Sequence, residues 1–488
     1  MGEKSIKKNA ILNVIRSMMT LIYPLITFPY TSRILMPDGI GKVRFAQSIV
    51  SYFSIIAGLG ISSYAIREAA SIRNDKVKLS KFTKEIFIIN ILSMTTSISL
   101  FFITILTVPR LSIITPLLLV CGLSIIFETI SLSWLFTALE EFSYITIRSI
   151  VFQIISLSLL FLTVRTKEDY LQYALLNVIA SGGSSICNLF YSRKFISFRN
   201  SQPLNLKQHF KPIFIFFSMA LITSIYTIFD TSMLGFLSTE TQVGYYSAAT
   251  KINRLVLSLI TAALGVTLPR LSNLFYKNNN AFFELFYKIL SFVLLLSLPA
   301  TVGLNILAPK IILLFSGELY LPATNTMRIM NPIIVIIALG NVIGGQLFFS
   351  CKKEKYTMIS ECIGAVVNFV INLLLIPKLG SMGAAIATIC AESIVTIAYF
   401  IFARKMISLK YIAKDFLQYI FATAIMALGL ITITRIFKNT AISLWFGIFS
   451  SITVYSLLLI LLKNQIAMKI LATVSVKINT LKHKEFEK

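Results

Sequence analysis

Charged residues are scarce in this chain of 488 residues. Only 13% of the residues are charged and 56% are hydrophobic, whereas soluble proteins have about 25% charged and about 45–50% apolar residues. The mean hydropathy is +0.81. This balance excludes a soluble multidomain enzyme, and the composition predicts an integral membrane protein with many spans.

Side chains for metal binding or acid/base chemistry are also rare. The two histidines, His209 and His483, both lie in polar stretches, and the five cysteines form no C-x-x-C pair. A zinc site needs a spaced set of cysteine or histidine ligands, and general acid/base enzymes most often use histidine. We therefore expect no catalytic residue, no metal and no bound cofactor. Most enzyme classes are thereby disfavoured.

Long apolar runs dominate the chain. A helix needs about 20 apolar residues to cross a hydrocarbon core of about 30 Å, and lipid offers the backbone no hydrogen-bond partner, so each run should be helical. The sequence predicts fourteen spans. Their limits are 10–32, 44–66, 86–108, 113–137, 143–164, 170–191, 212–236, 244–268, 286–308, 328–350, 357–377, 381–403, 413–434 and 440–462.

The basic residues are distributed unevenly over the loops between these spans. The chain has 45 Lys and Arg against 20 Asp and Glu, a net charge of +25. Thirty-one of the basic residues fall on the side of the termini, 11 on the other side and 3 within spans. By the positive-inside rule both termini are cytoplasmic. Topology thus accounts for the basic clusters, and we expect no nucleic-acid partner.

Parts of the first half recur in the second half at offsets of 203 to 212 residues. The matches predict that spans 1–6 and 7–12 are two copies. Because six is even, the copies should share one orientation and be related by an axis along the membrane normal, with substrate bound between them. The matched positions are Gly41 with Gly244, Phe136 with Phe348, Tyr144 with Tyr356, and Tyr191-Ser-Arg-Lys with Phe402-Ala-Arg-Lys.

The predicted fold class is all-α and integral to the membrane. It has fourteen transmembrane helices in two six-helix lobes related by a parallel internal repeat, plus two C-terminal helices. The segments are an N-lobe at 1–195, a cytoplasmic linker at 196–211, a C-lobe at 212–410, spans 13 and 14 at 411–463 and a cytoplasmic tail at 464–488.

Three sequence runs are distinctive. They are Pro29-Tyr-Thr-Ser-Arg-Ile-Leu-Met-Pro-Asp-Gly-Ile-Gly41, Trp134-Leu-Phe-Thr-Ala-Leu-Glu-Glu-Phe142 and Val243-Gly-Tyr-Tyr-Ser-Ala-Ala249. Together they resemble the Wzx-type polysaccharide flippases of the multidrug, oligosaccharidyl-lipid and polysaccharide exporter superfamily. The sequence departs from the family at Met36-Pro37, where Gly-Pro is more usual. The resemblance covers about residues 1 to 465.

The resemblance implies a flippase in the cytoplasmic membrane. Its substrate would be an undecaprenyl-pyrophosphate-linked oligosaccharide, such as an O-antigen repeat unit of lipopolysaccharide, moved outward by alternating access with proton or sodium coupling. Membrane lipid, a polysaccharide polymerase and a chain-length regulator would be its partners. A lipid II type flippase and a multidrug or metabolite extruder of the same superfamily remain alternatives. A membrane glycosyltransferase would need a large external loop with catalytic carboxylates or histidine, and it is disfavoured because the longest external segment, about 309–327, offers only Lys310 and Glu318.

Four cations and four carboxylates lie within or near the ends of the predicted spans, and such residues are functional candidates by default. For Arg254 we expect a place in a water-filled cavity, where a guanidinium suits pyrophosphate oxygens. Lys251 and Asp230 both lie about 10 Å deep. They either bind substrate or neutralise each other. Arg16 either receives the pyrophosphate or extends to the headgroups.

Two further pairs complete the set of candidate residues. Glu361 and Glu392 are candidates for ion coupling, because a buried carboxylate can load a proton near neutral pH. The alternative for them is a hydrogen-bonded contact within the lobe. Glu128 and Arg148, on consecutive spans, are predicted to form a structural pair.

The charge distribution gives a direct test of topology. Reporter fusions after Lys207 and after Lys310 should report opposite sides of the membrane, with Lys207 cytoplasmic. Alkaline phosphatase activity at one position and green fluorescence at the other would show this. Fusions that report the same side would contradict both the topology and the parallel repeat.

Overall fold

The computed structural model describes residues 6–197, 203–262, 264–408, 410–469 and 471–472. Within these ranges the regular structure is helical and contains no strand, so the all-α prediction is confirmed. The chain divides into two compact units, Met1–Ser247 and Ala248–Lys488. The first unit thus includes the segment from 212 to 247, which the predicted domain limits place in the C-lobe. Those limits stay a prediction.

The helices of the first unit pack around the N-terminal helix. In chain order they are α1 Ile6–Gly58, α2 Ile61–Ser71, α3 Lys76–Thr107, α4 Pro109–Ser112, α5 Thr115–Ile130, α6 Ser133–Ala138, α7 Phe142–Thr163, α8 Tyr170–Gly182, α9 Ser184–Ser192, α10 Lys207–Leu237 and the start of α11 Glu240–Ala262. α1 contacts α3, α5, α7, α8 and α10. It is therefore the central helix of this unit.

The second unit begins within α11. Its further helices are α12 Leu264–Lys277, α13 Asn279–Ser316, a 3₁₀ turn Glu318–Tyr320, α14 Ala323–Met330, α15 Ile333–Gly340, a π-helical segment Asn341–Phe348, α16 Glu354–Leu379, α17 Ser381–Ala403, α18 Lys410–Ile436 and α19 Thr440–Leu461. The helices α16 and α17 form a tightly packed antiparallel hairpin, and α13 packs on both α18 and α19.

Many of these helices are long and apolar enough to cross a membrane. Among the described residues there are ten such helices, or eleven when a bent pair is taken as one span. One of the ten, Met18–Ser71, has 54 residues. At 1.5 Å per residue that length exceeds the hydrocarbon core more than twofold, so this stretch can hold two crossings. The chain is a multi-pass membrane protein, and the count of fourteen spans stays a prediction.

The long helix α1 is interrupted at one residue. Pro24 and Pro29 lie inside it with helical backbone angles, whereas Met36 has φ 58° and ψ 175°. A residue with a side chain is strained in this region, which is essentially reserved for glycine. Met36 is also the position at which the sequence departs from the Gly-Pro of the flippases that it resembles. The chain therefore keeps this break in the helix at a cost in backbone strain.

Two glycines that the predicted repeat aligns, Gly41 and Gly244, lie against each other in the first unit. A Cβ atom on Gly41 would lie 1.7 Å from the carbonyl oxygen of Glu240 and 3.1 Å from the nitrogen of Gly244. A Cβ atom on Gly244 would lie 2.1 Å from the carbonyl oxygen of Pro37. Only residues without side chains let these two backbones approach so closely.

A stack of three rings, the first aromatic stack, joins the ends of α6, α7 and α9. The rings of Tyr144 and Tyr191 are parallel to within 18° with centroids 3.9 Å apart. Phe136 packs beside Tyr144 at 5.1 Å. Behind them the backbone N–H of Glu141 donates to the carbonyl of Phe136 at 2.8 Å, across a residue, Glu140, with φ 57°.

The second unit contains the same arrangement at the positions that the repeat predicts. In this second aromatic stack Tyr356 and Phe402 are parallel to within 16° at 4.7 Å, and Phe348 lies 5.6 Å from Tyr356. The N–H of Lys353 donates to Phe348 at 2.7 Å across Lys352, whose φ is 55°. Local structure thus recurs at offsets of 211 and 212 residues, whereas the overall superposition of the two lobes stays a prediction.

The glycine contact predicts a large effect of a very small substitution. Gly244→Ala should destabilise the protein by about 1–3 kcal/mol, the usual cost of forcing extra atoms into a packed interior. Gly429→Ala on α18 is the matched control, because no atom lies within 4 Å of the added methyl group. Thermal melting of the purified proteins measures both. Equal melting temperatures of the two variants would show that α1 and α11 can move apart without loss of stability.

Candidate functional site

In the first unit a buried polar cluster surrounds Asp230, one of the predicted substrate-binding residues. Asp230 is 6% exposed, and its carboxylate accepts a hydrogen bond of 2.7 Å from the hydroxyl of Tyr246. Close by, Tyr52 and Ser232 share a hydrogen bond of 2.7 Å between their hydroxyls. The electrostatic field of Asp230 reaches Tyr52 as well. α1, α10 and α11 therefore bring one carboxylate and three hydroxyls together.

The cations Lys251 and Arg254 lie further along α11, in the second unit. Lys251 is half-buried and Arg254 is exposed, while Asn253 between them is 3% exposed. With the amide of Asn331 oriented to donate, its nitrogen lies 2.8 Å from the Oδ1 atom of Asn253. This inward contact turns the adjacent Arg254 towards an accessible face. That placement is compatible with the expected cavity but does not test it.

The pairing of Asp230 with Lys251 and the binding of substrate by Arg16 stay predictions. Asp230 and Lys251 belong to different compact units. Arg16 lies on α1, and its side chain is outside the described part of the structure.

The predicted coupling residues Glu361 and Glu392 face the same tyrosine inside the α16–α17 hairpin. The hydroxyl of Tyr399 hydrogen-bonds to the carboxylate of Glu361, and Glu392 lies within electrostatic range of that hydroxyl. Deeper in the hairpin, the amide of Asn372 donates to Asn368 at 3.0 Å. Spacings of 7 and 4 residues place Glu361, Asn368 and Asn372 on one face of α16. The hairpin thus encloses a polar seam.

The predicted structural pair Glu128 and Arg148 has other contacts in the structure. Arg148 donates to the side-chain oxygen of Asn188 and lies 5.5 Å from the ring of Tyr144. Glu128 is exposed at the end of α5 and is hydrogen-bonded to Ser54. Arg148 therefore ties α7 to α9 and to the first aromatic stack. The pairing of Arg148 with Glu128 stays a prediction.

His209 has a role that its polar sequence context did not suggest. It is 3% exposed at the start of α10, where Nδ1 lies 2.8 Å from the hydroxyl of Tyr64 and Nε2 lies 2.9 Å from the carboxylate of Glu85. The N–H of Asn205 also donates to Glu85, at 2.7 Å. This group fastens α10 to α2 and α3. The polar residues around His209 gave no signal of its burial, because burial depends on which helix covers it.

Within the described residues no group of histidine, cysteine and acidic side chains could hold a metal ion. Taken together, the polar groups are isolated hydrogen-bonded sets on spanning helices. This arrangement, in an all-helical membrane protein of two compact units, is typical of a membrane transporter.

Comparison with known proteins assigns the chain to a family and identifies relatives. Residues 6–275 match the family model described as "Polysaccharide biosynthesis protein". A "Putative O-antigen transporter" of Shigella dysenteriae is 23% identical over 402 residues, 80% of this chain and 98% of the relative. A protein of the same name from Escherichia coli K12 is 25% identical over 417 residues, 82% of this chain and 97% of the relative.

Among solved structures, the chain is similar to one titled "Lipid II flippase MurJ, inward closed conformation". The TM-score is 0.76 at 19% identity, over 94% of this chain and 99% of the other. At that identity the likeness shows a shared fold. The chain is a multi-pass membrane transporter and not an enzyme. It belongs to the polysaccharide biosynthesis protein family whose model matches residues 6–275.

The hydrogen bond to Asp230 predicts a measurable loss of stability when its donor is removed. Tyr246→Phe should lower stability by about 1.5–3 kcal/mol, the usual contribution of a hydrogen bond to a charged group. Tyr276→Phe, in which the ring is 64% exposed, is the matched control. Melting of both variants in detergent would measure the difference. If Tyr246→Phe melted no lower than the control, the bond would contribute nothing to stability.

Proposed function

We propose that the protein is a flippase for undecaprenyl-pyrophosphate-linked oligosaccharide repeat units in the cytoplasmic membrane, with both termini cytoplasmic. The names of its relatives and the match to a flippase fold support transport of a lipid-linked glycan. A polysaccharide polymerase and a chain-length regulator are its proposed partners. Such a substrate has an apolar chain and a charged, sugar-bearing head, so a transporter must provide a surface for each.

The observation that carries the proposal is an apolar groove in the second unit. The groove has a volume of about 830 Å³ and lies between α13, α18, α19 and α11. On α13 the small residues Pro299, Ala300 and Gly303 line it, and Leu430 and Tyr455 form the walls contributed by α18 and α19. A polyprenyl chain suits this surface, because burying each CH₂ group contributes about 0.8 kcal/mol.

The head of the substrate calls for a polar route with cations. Arg254 is accessible on α11, and Lys251 lies one turn before it. A guanidinium matches the paired oxygens of a pyrophosphate better than an ammonium does. We assign Arg254, Lys251, Arg16 and Asp230 to substrate binding in an alternating-access cycle. Glu361 and Glu392, which both act on Tyr399, are the proposed site of proton or sodium coupling.

The expected effect of Arg254→Ala is the loss of at least about nine-tenths of the surface polysaccharide, since a charge-assisted contact contributes about 1.5–3 kcal/mol and 1.4 kcal/mol is tenfold. Arg254→Lys should restore transport in part. Complementation of a cell that lacks the gene measures this, with protein level in the membrane measured in parallel. Arg435→Ala, at the end of α18, removes the same charge elsewhere and is the control.

The lipid-linked saccharide that accumulates in a cell lacking the gene identifies the substrate. Accumulation of an undecaprenyl-linked oligosaccharide repeat unit on the cytoplasmic side is the expected result. Accumulation of lipid II would instead favour the lipid II alternative. If the Arg254→Ala variant made normal amounts of surface polysaccharide at normal protein levels, Arg254 would not bind the substrate.

A further inference from the structure

The helices α11 and α12 form a bent pair that is long and apolar enough to cross the membrane as one span. The bend between Glu240–Ala262 and Thr267–Lys277 is 42°. A Cβ atom on Gly265 would meet nothing within 4 Å, and Pro269 has no N–H to bond the carbonyl oxygen of Gly265, four residues before it. Both residues permit a bend, but neither fixes its angle. The angle therefore depends on side chains from neighbouring helices.

Gln346 makes a polar contact at the bend. It is 5% exposed, and its side-chain nitrogen donates a hydrogen bond of 3.0 Å to the carbonyl oxygen of Leu264, the first residue of α12. Its side-chain oxygen lies 3.1 Å from the hydroxyl of Thr267, which is also 2.9 Å from the carbonyl oxygen of Leu264. A buried carbonyl at a helix break is costly without a partner. Gln346 therefore stabilises the bent form of the pair.

Two further polar contacts join α11 and α12 to the same neighbouring stretch, one on each side of the bend. Asn253 of α11 accepts a hydrogen bond from the amide of Asn331, and the hydroxyls of Ser272 of α12 and Ser350 are 3.3 Å apart. In both contacts the partners are 78 positions apart in the sequence. The two stretches thus run side by side in the same direction, and Gln346 lies between these contacts.

Gln346 belongs to the π-helical segment Asn341–Phe348, and the direction of its side chain depends on that segment. π-helical stretches are rare and occur frequently at functional sites. A π-helical turn contains about one residue more than an α-helical turn. Relaxation to an α-helix would therefore rotate Gln346 by about 100° relative to α15 and take its amide away from Leu264.

The other side of the π-helical segment packs against Tyr399 of α17. A Cβ atom on Gly344 would lie 2.8 Å from the ring of Tyr399, whereas one on Gly345 would meet nothing within 4 Å. Residues two apart on a helix do not face the same way, so Gly344 and Gln346 lie on different sides of the segment. The hydroxyl of Tyr399 is hydrogen-bonded to Glu361. The segment thus lies between a proposed coupling residue and the bend.

The bend sets the direction of α11, the helix that carries Arg254. Arg254 lies ten residues before Leu264, which is about 15 Å along a helix at 1.5 Å per residue. A change of the bend by its whole 42° would move Arg254 by about 10 Å relative to α12. A small change at the bend is therefore a large change at the proposed substrate-binding cation.

Open space lies beside the bend. Leu264 and Thr267 border a cavity of about 1160 Å³. This lysine-lined cavity also has Lys288, Lys405 and Lys469 in its wall. On this side the angle can change without a clash at Leu264 or Thr267.

We propose that Gln346 is a positioning residue that sets the angle between α11 and α12. Through the contact of Gly344 with the ring of Tyr399, this angle follows the state of the two carboxylates that act on that tyrosine. The first part holds whatever the protein transports. The second part rests on the proposed function, because it uses the proposed role of Glu361 and Glu392 in ion coupling.

The test measures hydrogen–deuterium exchange of the backbone amides of residues 264–268 in the purified full-length protein. Gln346→Leu keeps most of the side-chain volume and removes both polar contacts. These amides should then exchange about tenfold faster, a change in local opening that two neutral hydrogen bonds account for. Ser272→Ala is the matched control, because it removes a polar contact of α12 away from the bend. It should leave the exchange of residues 264–268 unchanged.

The two adjacent glycines test the route through Tyr399. Gly344→Ala puts a methyl group against the ring and should displace the π-helical segment, so residues 264–268 should exchange at least about threefold faster. Gly345→Ala makes the same change where space is open and should leave this exchange unchanged. With Gly344→Ala and Gln346→Leu combined, exchange should be no faster than with Gln346→Leu alone, because both changes act through one contact.

Wild-type exchange of residues 264–268 in the Gln346→Leu variant would overturn the proposal. So would equal effects of Gly344→Ala and Gly345→Ala, or additive effects of Gly344→Ala and Gln346→Leu, which independent loosening of the fold would give. If Gln346→Leu fails to fold, the two glycine variants decide alone. The measurement uses no substrate, so failure here leaves the flippase function standing.

Discussion

The hydrocarbon core of a membrane offers no hydrogen-bond partner, and most of the structure follows from that limit. Each spanning segment must satisfy its own backbone groups, so the described chain is built from helices. The same limit applies to polar side chains, which are costly in lipid unless they meet a partner or water. Asp230 meets Tyr246, Glu361 meets Tyr399, and Glu85 meets His209. In each case an aromatic or imidazole ring supplies the donor together with an apolar body that packs among the helices.

These three contacts lie in different parts of the protein and have different roles. The group around His209 fastens α10 to α3, with His209, Glu85 and Tyr64 all buried. In the second unit Asp415 and Ser291 form the corresponding contact between α18 and α13. Both residues of that contact lie 206 positions after Glu85 and His209. In each unit the helix that follows the six predicted spans is thus held at an equivalent position. A histidine–carboxylate contact does this in the first unit and a serine–carboxylate contact in the second. Asp230 and Glu361, by contrast, lie within segments that the sequence predicts to span the membrane.

The second unit combines features that suit a lipid substrate. Its apolar groove and its lysine-lined cavity share α13, α18 and the segment after α19. Of the two C-terminal helices, which the sequence repeat left without a counterpart, α18 lines both sites and α19 lines the groove.

The sequence by itself determined the membrane class, the helical fold and the register of the repeat. Apolar length and composition are enough for the first two, because lipid permits little else. The register was readable because Phe136 and Tyr144 recur as Phe348 and Tyr356, and in the structure both pairs pack with similarly tilted rings, at 55° and 59°.

Partnerships between distant residues were decided only by the tertiary structure. The contact of Arg148 with Asn188, the burial of His209 and the meeting of Gly41 with Gly244 all join helices far apart in the chain. An apolar helix gives little sign of which face meets which neighbour, since lipid and protein interior are equally apolar. Such contacts are set by close packing and by the few polar groups that must find one another, and neither is visible until the helices are assembled.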